Sequence, residues 1–208
     1  MTYSIVAIDP RRRFVGVATA SGSVAVGSRV PWARYGVGAV ATQAYTNPAL
    51  GPLILELLES GLGAEEALER ALVSDSGRDF RQVGVVAFDG SKAVFCGRLI
   101  PREFGCFVGR FCVCIANLVR DGGVAEAMCR VFDEVVESVE FHEALLRALE
   151  EGSRLGGDAR GDRSAAIVVC GATGYGRYFD RVIDARVDYS PNPVQELRKV
   201  VEALVSRG

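Results

Sequence analysis

Residues 1–21 read MTYSIVAIDPRRRFVGVATAS, and the pattern within them guides the interpretation of the rest of the chain. Val, Ile and aromatic residues are frequent in two short runs, Tyr3–Asp9 and Phe14–Ser21, which predicts two strands. The link between them, Pro10-Arg11-Arg12-Arg13, is polar and begins with proline, which is typical of a turn. The stretch therefore predicts a β-hairpin.

The remaining periodicity predicts further strands and pairs of helices. Strands are predicted at Val37–Thr42, Gln82–Phe88, Lys92–Cys96, Phe107–Leu118 (one strand or two), Ser164–Cys170 and Tyr178–Val187. Helices are predicted at Leu50–Glu59, Ala64–Val73, Val124–Val136, Phe141–Glu151 and Val194–Val205. This order differs from the strict strand–helix alternation of a parallel sheet. We therefore expect an α+β fold, a four-layer αββα sandwich of two mainly antiparallel sheets, as one domain over residues 1–208.

Charge and hydropathy exclude several classes of protein. The 208 residues include 24 Lys+Arg and 26 Asp+Glu, so no basic excess is present to neutralise the phosphates of a nucleic acid. No apolar run approaches the roughly 20 residues that cross a bilayer, so no membrane association is expected. Residues 1–5 lack the basic and apolar regions of a signal peptide, which favours a cytoplasmic protein.

The six cysteines are scattered, and the chain has a single histidine, His142. Zinc sites usually use ligand pairs two to four residues apart, so neither a metal site nor a cofactor is predicted. Small buried hydrophobic side chains are the favoured interpretation of these cysteines. Disulfide bonds between these cysteines remain an alternative. The chain has 22 Arg against 2 Lys, with only three Asn and three Gln, which is typical of heat-adapted organisms, and intracellular disulfides do occur in such organisms. The arginine excess can also reflect genomic base composition.

Thr2 is the first candidate for chemistry. The initiator methionine is usually removed when the next side chain is small, and removal would leave a free α-amine beside the threonine hydroxyl. An α-amine has an ordinary pKa of about 7.7–8.0 and can act as the base that a hydroxyl nucleophile needs. Threonine is common at position two, so this signal is weak by itself. The strand predicted from Tyr3 onward would place Thr2 at the end of a sheet.

Longer motifs carry a resemblance to a known family. They are Thr2–Ala7, Gly16–Ala18, Ala25–Ala33, Gly36–Ala44, Thr46–Pro48, Arg81–Val86, Gly157–Gly161, Ser164–Ala166, Phe179–Arg181 and Asp184–Asp188. With these motifs the chain resembles the DUF1028 family of Ntn-hydrolase-like proteins over nearly its whole length. The resemblance implies the αββα architecture of the proteasome, but no particular substrate.

By analogy with Ntn hydrolases, the resemblance implies roles for further residues. Arg34 lies where such enzymes place a cation that lowers the pKa of the amine, or it is a surface arginine beside Trp32. Asn117 ends a predicted strand and would donate to an oxyanion, or it forms a cap or turn. Asp158 and Ser164 belong to a Gly-rich polar loop that would order the floor of the site, with Ser164 near the amine, or that is a solvated loop or an oligomer contact.

Three further residues are candidates for substrate binding. Gln43 and Asn47 would line a pocket at a strand end, or form a turn before the first helix. Arg160 lies in the same polar loop as Asp158.

Two functions follow from these observations. The first is an Ntn amidohydrolase that cleaves an amide bond of a small molecule or peptide, with Thr2 as the nucleophile. The second is a non-catalytic ligand-binding or assembly protein with the same fold, because a fold alone does not establish an activity. Sandwiches of this type often pair through their outer helices, so a homodimer is expected.

Overall fold

The computed structural model describes residues 2–9, 11, 14–101 and 103–206, except the side chain of residue 177. The strands are β1 (Thr2–Asp9), β2 (Phe14–Ser21), β3 (Pro31–Arg34), β4 (Gly38–Ala44), β5 (Arg81–Ala87), β6 (Lys92–Cys96), β7 (Phe104–Val108), β8 (Cys112–Asn117), β9 (Ser164–Cys170) and β10 (Arg181–Val187). The helices are α1 (Leu50–Glu59), α2 (Ala64–Val73), α3 (Val124–Val135), α4 (Phe141–Arg154) and α5 (Pro193–Val205).

The strands form two antiparallel sheets. One has six strands in the order β10-β9-β2-β1-β8-β7, and the other has four in the order β3-β4-β5-β6. The predicted hairpin of β1 and β2 lies in the middle of the larger sheet, where β1 pairs with β2 on one side and β8 on the other. The first strand is therefore an internal strand, covered along both edges.

Both faces of β1 are buried, which explains its nearly continuous apolar sequence. Tyr3, Ile5 and Ala7 pack toward α3 and α4. Val6 and Ile8, on the opposite face, pack against apolar residues of the smaller sheet. Helices α1 and α2 cover the outer face of that sheet, and α3, α4 and α5 cover the outer face of the larger one. The predicted α+β fold with αββα layers is confirmed.

The layer between the sheets changes character along its length. Around Val6 and Ile8 it is apolar, whereas toward the other end of β1 it is polar. The buried polar side chains at that end are Thr2, Ser4, Thr19, Ser21, Gln43, Gln82, Asn117 and Ser164. Burying a polar group is costly unless it is hydrogen-bonded, so such a concentration requires an ordered network.

Besides shifts of one to three residues at the ends of several elements, the structure differs from the sequence predictions in three places. Residues 107–118 are parts of two strands, because a turn at residues 109–111 separates β7 from β8. The four-residue strand β3 was not predicted, since it is too short to show a period. Strand β10 begins at Arg181, and Tyr178 ends a short 3₁₀ turn instead. Of the turn predicted at residues 10–13, only Arg11 is among the described residues.

Over the described residues, no helix is both long and apolar enough to cross a membrane. The longest of these helices, α4, has 14 residues, against the roughly 20 that a bilayer requires.

Candidate functional site

Thr2 lies at the polar end of the layer between the sheets. It pairs with Ser21 of β2 and with Asn117 of β8, so the three side chains share one face of the sheet. The Thr2 Oγ1 atom lies 3.1 Å from Ser21 Oγ. Thr2 is 6% exposed and lines a pocket of 440 Å³, a volume typical of small-molecule sites. The remaining exposed surface of Thr2 is therefore available to a molecule in this pocket.

Two buried glutamines connect the sheets beneath Thr2. Gln43 of β4 donates from Nε2 to the main-chain oxygen of Thr2 at 3.0 Å and to Gln82 Oε1 at 2.8 Å. Its Oε1 accepts a hydrogen bond from Ser4 Oγ at 2.7 Å. Gln82 of β5 also accepts from Asn117 Nδ2 at 3.1 Å. The position of Thr2 is thus fixed by side chains from the opposite sheet.

The orientation of these amides follows from the carbonyls around them. Gln82 Nε2 donates to the main-chain oxygens of Gly105 and Ala116, both at 3.1 Å, which requires Oε1 to point the other way. Gln82 Oε1 then requires the Nδ2 group of Asn117 to face it. Asn117 Oδ1 consequently points elsewhere, and it is buried and accepts no hydrogen bond from the described residues.

This arrangement adds to the role predicted for Asn117. An oxyanion is stabilised by a donor, and one of the two N–H groups of the Asn117 amide is bonded to Gln82. Its Oδ1, which accepts no hydrogen bond from the described residues, belongs to the residue opposite Thr2 in the β1–β8 pair. Asn117 therefore offers a buried acceptor beside Thr2, suited to an N–H donor.

Asp158 shapes the loop that follows β2. Its buried carboxylate accepts a hydrogen bond from the main-chain N–H of Gly22 at 2.6 Å and pairs with the Arg160 guanidinium at 3.2 Å. A Cβ on residue 22 would lie 2.4 Å from Asp158 Oδ2, so this close approach requires glycine. Asp158 thus positions one wall of the Thr2 pocket but does not line it.

Ser164 holds the next part of the same loop. Its hydroxyl donates to the main-chain oxygen of Ser23 at 2.6 Å and accepts from the N–H of Val26 at 3.1 Å. The hydroxyl is fully buried and does not line the pocket. Ser164 was expected to lie near the amine. Both hydrogen bonds of its hydroxyl go instead to the main chain of the loop after β2, so Ser164 supports this loop.

Arg160 lines a neighbouring pocket of 280 Å³ together with Asn117 and Leu118. Ala44 and the exposed Tyr45 line both pockets. The two pockets are therefore adjacent parts of one depression. The structure therefore brings Thr2, Asn117 and Arg160 to the same end of the sandwich.

Three other predicted residues do not reach this pocket. Arg34 pairs with Gly38 at the far end of β4 and forms a 2.6 Å ion pair with Glu59, so it cannot act on the Thr2 amine. The interpretation of Arg34 as a surface arginine is the one that fits. Gln43 is buried in the network and contacts Thr2, not a pocket.

Asn47 forms the predicted turn before α1. Its Oδ1 accepts a hydrogen bond from the N–H of Ala49 at 3.2 Å, and its main-chain oxygen accepts from Leu50. The short turn before the helix uses both of these oxygens. Asn47 lines neither pocket, and its role in substrate binding stays a prediction.

Two arginines that the sequence did not single out line the Thr2 pocket. Arg81 is held by Asp75 through a 2.8 Å and a 3.2 Å hydrogen bond, and it also donates to the main-chain oxygen of Tyr45. Arg29 donates to the main-chain oxygen of Val24 at 3.3 Å and forms no ion pair with any described residue. The described lining contains both arginines and no carboxylate. Both arginines belong to motifs that carry the family resemblance, Ala25–Ala33 and Arg81–Val86, but those motifs assigned neither of them a role.

The buried carboxylate of Asp75 is tuned by its arginine partner. Hydrogen bonds from Arg81 lower the pKa of Asp75, against the opposing effect of burial.

Tyr3 lies on the face of the larger sheet that packs against α3 and α4. Burial and the adjacent Asp162 raise the pKa of Tyr3 well above its usual value. Tyr3 therefore remains protonated and donates to Asp162 at 2.5 Å, which ties β1 to residues 153–162.

Backbone strain concentrates around the same depression. Ala44 and Leu118, which line its two parts, have φ values of 70° and 52°. Ala25, in the loop after β2, and Glu103, which accepts a hydrogen bond from residue 119, also have positive φ. Left-handed conformations of non-glycine residues cost about 1–3 kcal/mol and cluster at functional sites. Their positions support this depression as the functional site.

Comparison with solved structures identifies a similar fold. The crystal structure of protein SPO2555 from Silicibacter pomeroyi, a DUF1028 protein, has a TM-score of 0.86 and 29% identity, covering 97% of this chain and 88% of that chain. Anbu (ancestral beta-subunit) from Yersinia bercovieri has a TM-score of 0.43 and 14% identity, covering 98% of this chain and 95% of that chain. No curated protein matches the chain.

The model of DUF1028, a family of unknown function, matches residues 2–197. This range includes Thr2, the glutamines beneath it and the loop that carries Asp158 and Arg160. The resemblance predicted from the motifs is thus confirmed over nearly the whole chain: the protein is a member of the DUF1028 family.

Proposed function

We propose that this protein is an N-terminal-nucleophile amidohydrolase in which Thr2 attacks the carbonyl of an amide substrate. The observation that carries the proposal is the setting of Thr2. It begins an internal strand, lines the 440 Å³ pocket and lies opposite Asn117, whose buried Oδ1 accepts no hydrogen bond from the described residues. The αββα layers that the resemblance to Ntn-hydrolase-like proteins implied are consistent with it.

The acceptor Oδ1 of Asn117 supports a free α-amine at Thr2. An unsatisfied buried polar atom costs about 1–3 kcal/mol, so Asn117 Oδ1 requires a donor. Removal of Met1, which lies outside the described residues, would turn the Thr2 amide into an α-amine with additional N–H groups. A hydrogen bond from that amine to Asn117 Oδ1 would orient it beside the Thr2 hydroxyl.

The proposed reaction follows from this placement. The α-amine, directly or through one water, takes the proton of Thr2 Oγ1 as the oxygen attacks the substrate carbonyl. The protonated amine then gives its proton to the leaving amine, and the C–N bond breaks. Water, deprotonated by the same amine, hydrolyses the resulting ester and restores the threonine. The Ser21 hydroxyl, 3.1 Å from Oγ1, is near enough to donate a hydrogen bond during these steps.

The pocket charge favours a substrate with an anionic group. Asp75 balances the charge of Arg81, whereas no described carboxylate balances that of Arg29. A carboxylate on the substrate would form charge-assisted hydrogen bonds with Arg29, which are about twice as strong as neutral ones. N-acyl amino acids and peptides with a free carboxyl terminus have this chemistry.

Covalent labelling tests the nucleophile. Protein is prepared with a free Thr2, by natural processing or by cleavage of a removable N-terminal tag, and is incubated with a β-lactone. Ring opening by Thr2 Oγ1 would add the full lactone mass to the N-terminal peptide. Thr2→Ala is expected to lose the adduct, as is protein with the tag left in place. Thr46→Ala, which changes another threonine of the pocket lining in the same way, is expected to keep it.

Three results would contradict the proposal. One is an intact mass showing that Met1 is retained in the protein isolated from its own cells. Another is equal labelling of Thr2→Ala, which would require a different nucleophile. The third is the absence of labelling and of amide hydrolysis with Thr2 free, which would favour the non-catalytic ligand-binding alternative.

The substrate class is tested separately with N-acyl amino acids and their neutral carboxamides. Arg29→Gln is expected to lower kcat/KM about tenfold or more for the acids and to leave the carboxamides nearly unchanged, since a charged hydrogen bond is worth about 1.5–3 kcal/mol. Equal effects on both would argue against recognition of an anionic group.

A further inference from the structure

Three cysteines lie together on the other side of the larger sheet, away from the Thr2 pocket. Cys112 and Cys114 are two residues apart on β8, so both side chains face the layer that contains α3. Cys129 lies on α3, and the three Sγ atoms are all within 4.8 Å of one another. All three residues are completely buried. The sequence favoured the interpretation of the cysteines as small buried hydrophobic side chains. Hydrophobic packing alone, however, does not require the sulfur atoms of three cysteines to lie next to one another.

The distances distinguish a disulfide from a metal site. Cys112 Sγ lies 3.0 Å from Cys129 Sγ. Two thiolates on one tetrahedral zinc ion would be about 3.8 Å apart, because each Zn–S bond is about 2.3 Å. The observed separation is shorter than this, and about 1 Å longer than a disulfide bond of about 2.05 Å.

The neighbouring carboxylate also disfavours a metal. Asp133 Oδ1 lies 3.9 Å from Cys112 Sγ and is a candidate for a fourth ligand. Its two oxygens accept hydrogen bonds from the main-chain N–H groups of Arg110 at 2.6 Å and Phe111 at 3.1 Å. Asp133 is therefore already used to hold the turn before β8.

We infer that Cys112 and Cys129 are a disulfide-forming pair that links strand β8 to helix α3. Cys114 stays a free thiol beside them. The bond would anchor the strand whose last residue, Asn117, faces Thr2.

The bond must form before the helix is fully packed on the sheet. In the folded protein all three thiols are closed off from solvent, so an external disulfide cannot reach them. Burial raises the pKa values of Cys112 and Cys114, whereas hydrogen bonds with these two thiols lower the pKa of Cys129 to about 5, so the exclusion of solvent and not thiol acidity decides when the bond forms. During folding, one cysteine thiolate attacks a low-molecular-weight disulfide such as oxidised glutathione and releases one glutathione thiolate. The second cysteine thiolate then attacks the mixed disulfide and releases the other. Two thiols are oxidised and one glutathione disulfide is reduced to two glutathiones.

Peptide mapping after refolding provides the test. Denatured, reduced protein is refolded with oxidised and reduced glutathione, denatured again in iodoacetamide so that every free thiol is blocked, and digested without reductant. The expected product has a 112–129 linkage, with Cys114 and Cys170 recovered as alkylated thiols after denaturation. Recovery of all six cysteines as thiols, or a linkage of either residue to Cys114, would overturn the inference.

Stability measurements and a metal assay complete the test. The oxidised wild-type protein is expected to unfold at a higher urea concentration than the reduced one, and Cys112→Ala is expected to abolish this difference. Cys170→Ala, a matched change at a buried cysteine between the sheets, should retain it. If Cys112→Ala fails to fold, the peptide map of the wild-type protein still decides the question. One equivalent of zinc retained by the reduced protein after dialysis, without disulfide formation on refolding, would also contradict the pair.

Discussion

Replacement of Gln82 by leucine tests the network that supports Thr2. Leucine has a similar size but removes every hydrogen bond of the amide. Gln82 Nε2 donates to the main-chain oxygens of Gly105 and Ala116, and Oε1 accepts from Gln43 and Asn117. The variant therefore places an apolar side chain among four polar groups in a buried layer.

The cost can be estimated from these contacts. Asn117 Nδ2 would lose the partner it has in the structure, at about 1–3 kcal/mol, whereas Gln43 Nε2 would keep its bond to Thr2. Each of the three other lost hydrogen bonds is worth about 0.5–1.5 kcal/mol. With some compensation from burying leucine, we expect Gln82→Leu to lower the free energy of unfolding by about 4 kcal/mol. Proteins of this kind are stable by only about 5–15 kcal/mol.

Urea denaturation measures this loss. With a slope of about 3 kcal/mol per molar, the midpoint would fall by about 1.3 M. The matched control is Gln195→Leu, the same substitution on the exposed surface of α5, which should change stability by no more than about 0.5 kcal/mol. Equal midpoints for Gln82→Leu and Gln195→Leu would show that the amide network contributes nothing, and would remove the argument that assigns Asn117 Oδ1 as a free acceptor.

Three further predictions use other contacts. Tyr3→Phe removes the hydrogen bond to the half-buried carboxylate of Asp162 and should lower the free energy of unfolding by about 1.5–3 kcal/mol, whereas Tyr189→Phe, at an exposed tyrosine, should leave thermal unfolding unchanged. Because Arg81 lowers the pKa of Asp75, the stability from this carboxylate is complete above its ordinary pKa of 3.8 and is lost as pH falls through the lower folded value. The difference in urea midpoint between wild type and Asp75→Asn should therefore shrink as pH is lowered from about 6 to about 2.5. Cys106 is exposed and its pKa is lowered to about 7 by a neighbouring thiol, so mass mapping of a brief iodoacetamide reaction should find this cysteine alkylated first.

Much of the fold could be predicted from the sequence because its signals are local. The bounds of β2, α1 and α2 match the predicted ranges, since each element has a clear period and ends at a turn or a glycine. The order of the elements, with strands in hairpins and helices in pairs, was sufficient to predict the layers.

The site could be predicted only in part. Thr2, Asn117 and the loop with Asp158 were found, but the buried acceptor of Asn117 was not predicted and Ser164 was placed near the amine. The direction of an amide depends on its neighbours, and the carbonyls that orient Gln82 belong to β7 and β8. Arg34 was assigned its role, lowering the pKa of the amine, by analogy with Ntn hydrolases. Its position away from the pocket depends on which end of β3 lies near Thr2, and this follows from the pairing of β3 with β4.

The sequence by itself determined most of the secondary structure, the αββα layers and the candidacy of a threonine at the head of the first strand. These follow from periodicity and composition, which act between residues close together in the chain. Only the tertiary structure decided that Gln43 and Gln82 lie beneath Thr2, that two arginines reach its pocket, and that Cys112 meets Cys129. Such contacts join residues distant in sequence, and they depend on how the two sheets and the helix layer pack against each other.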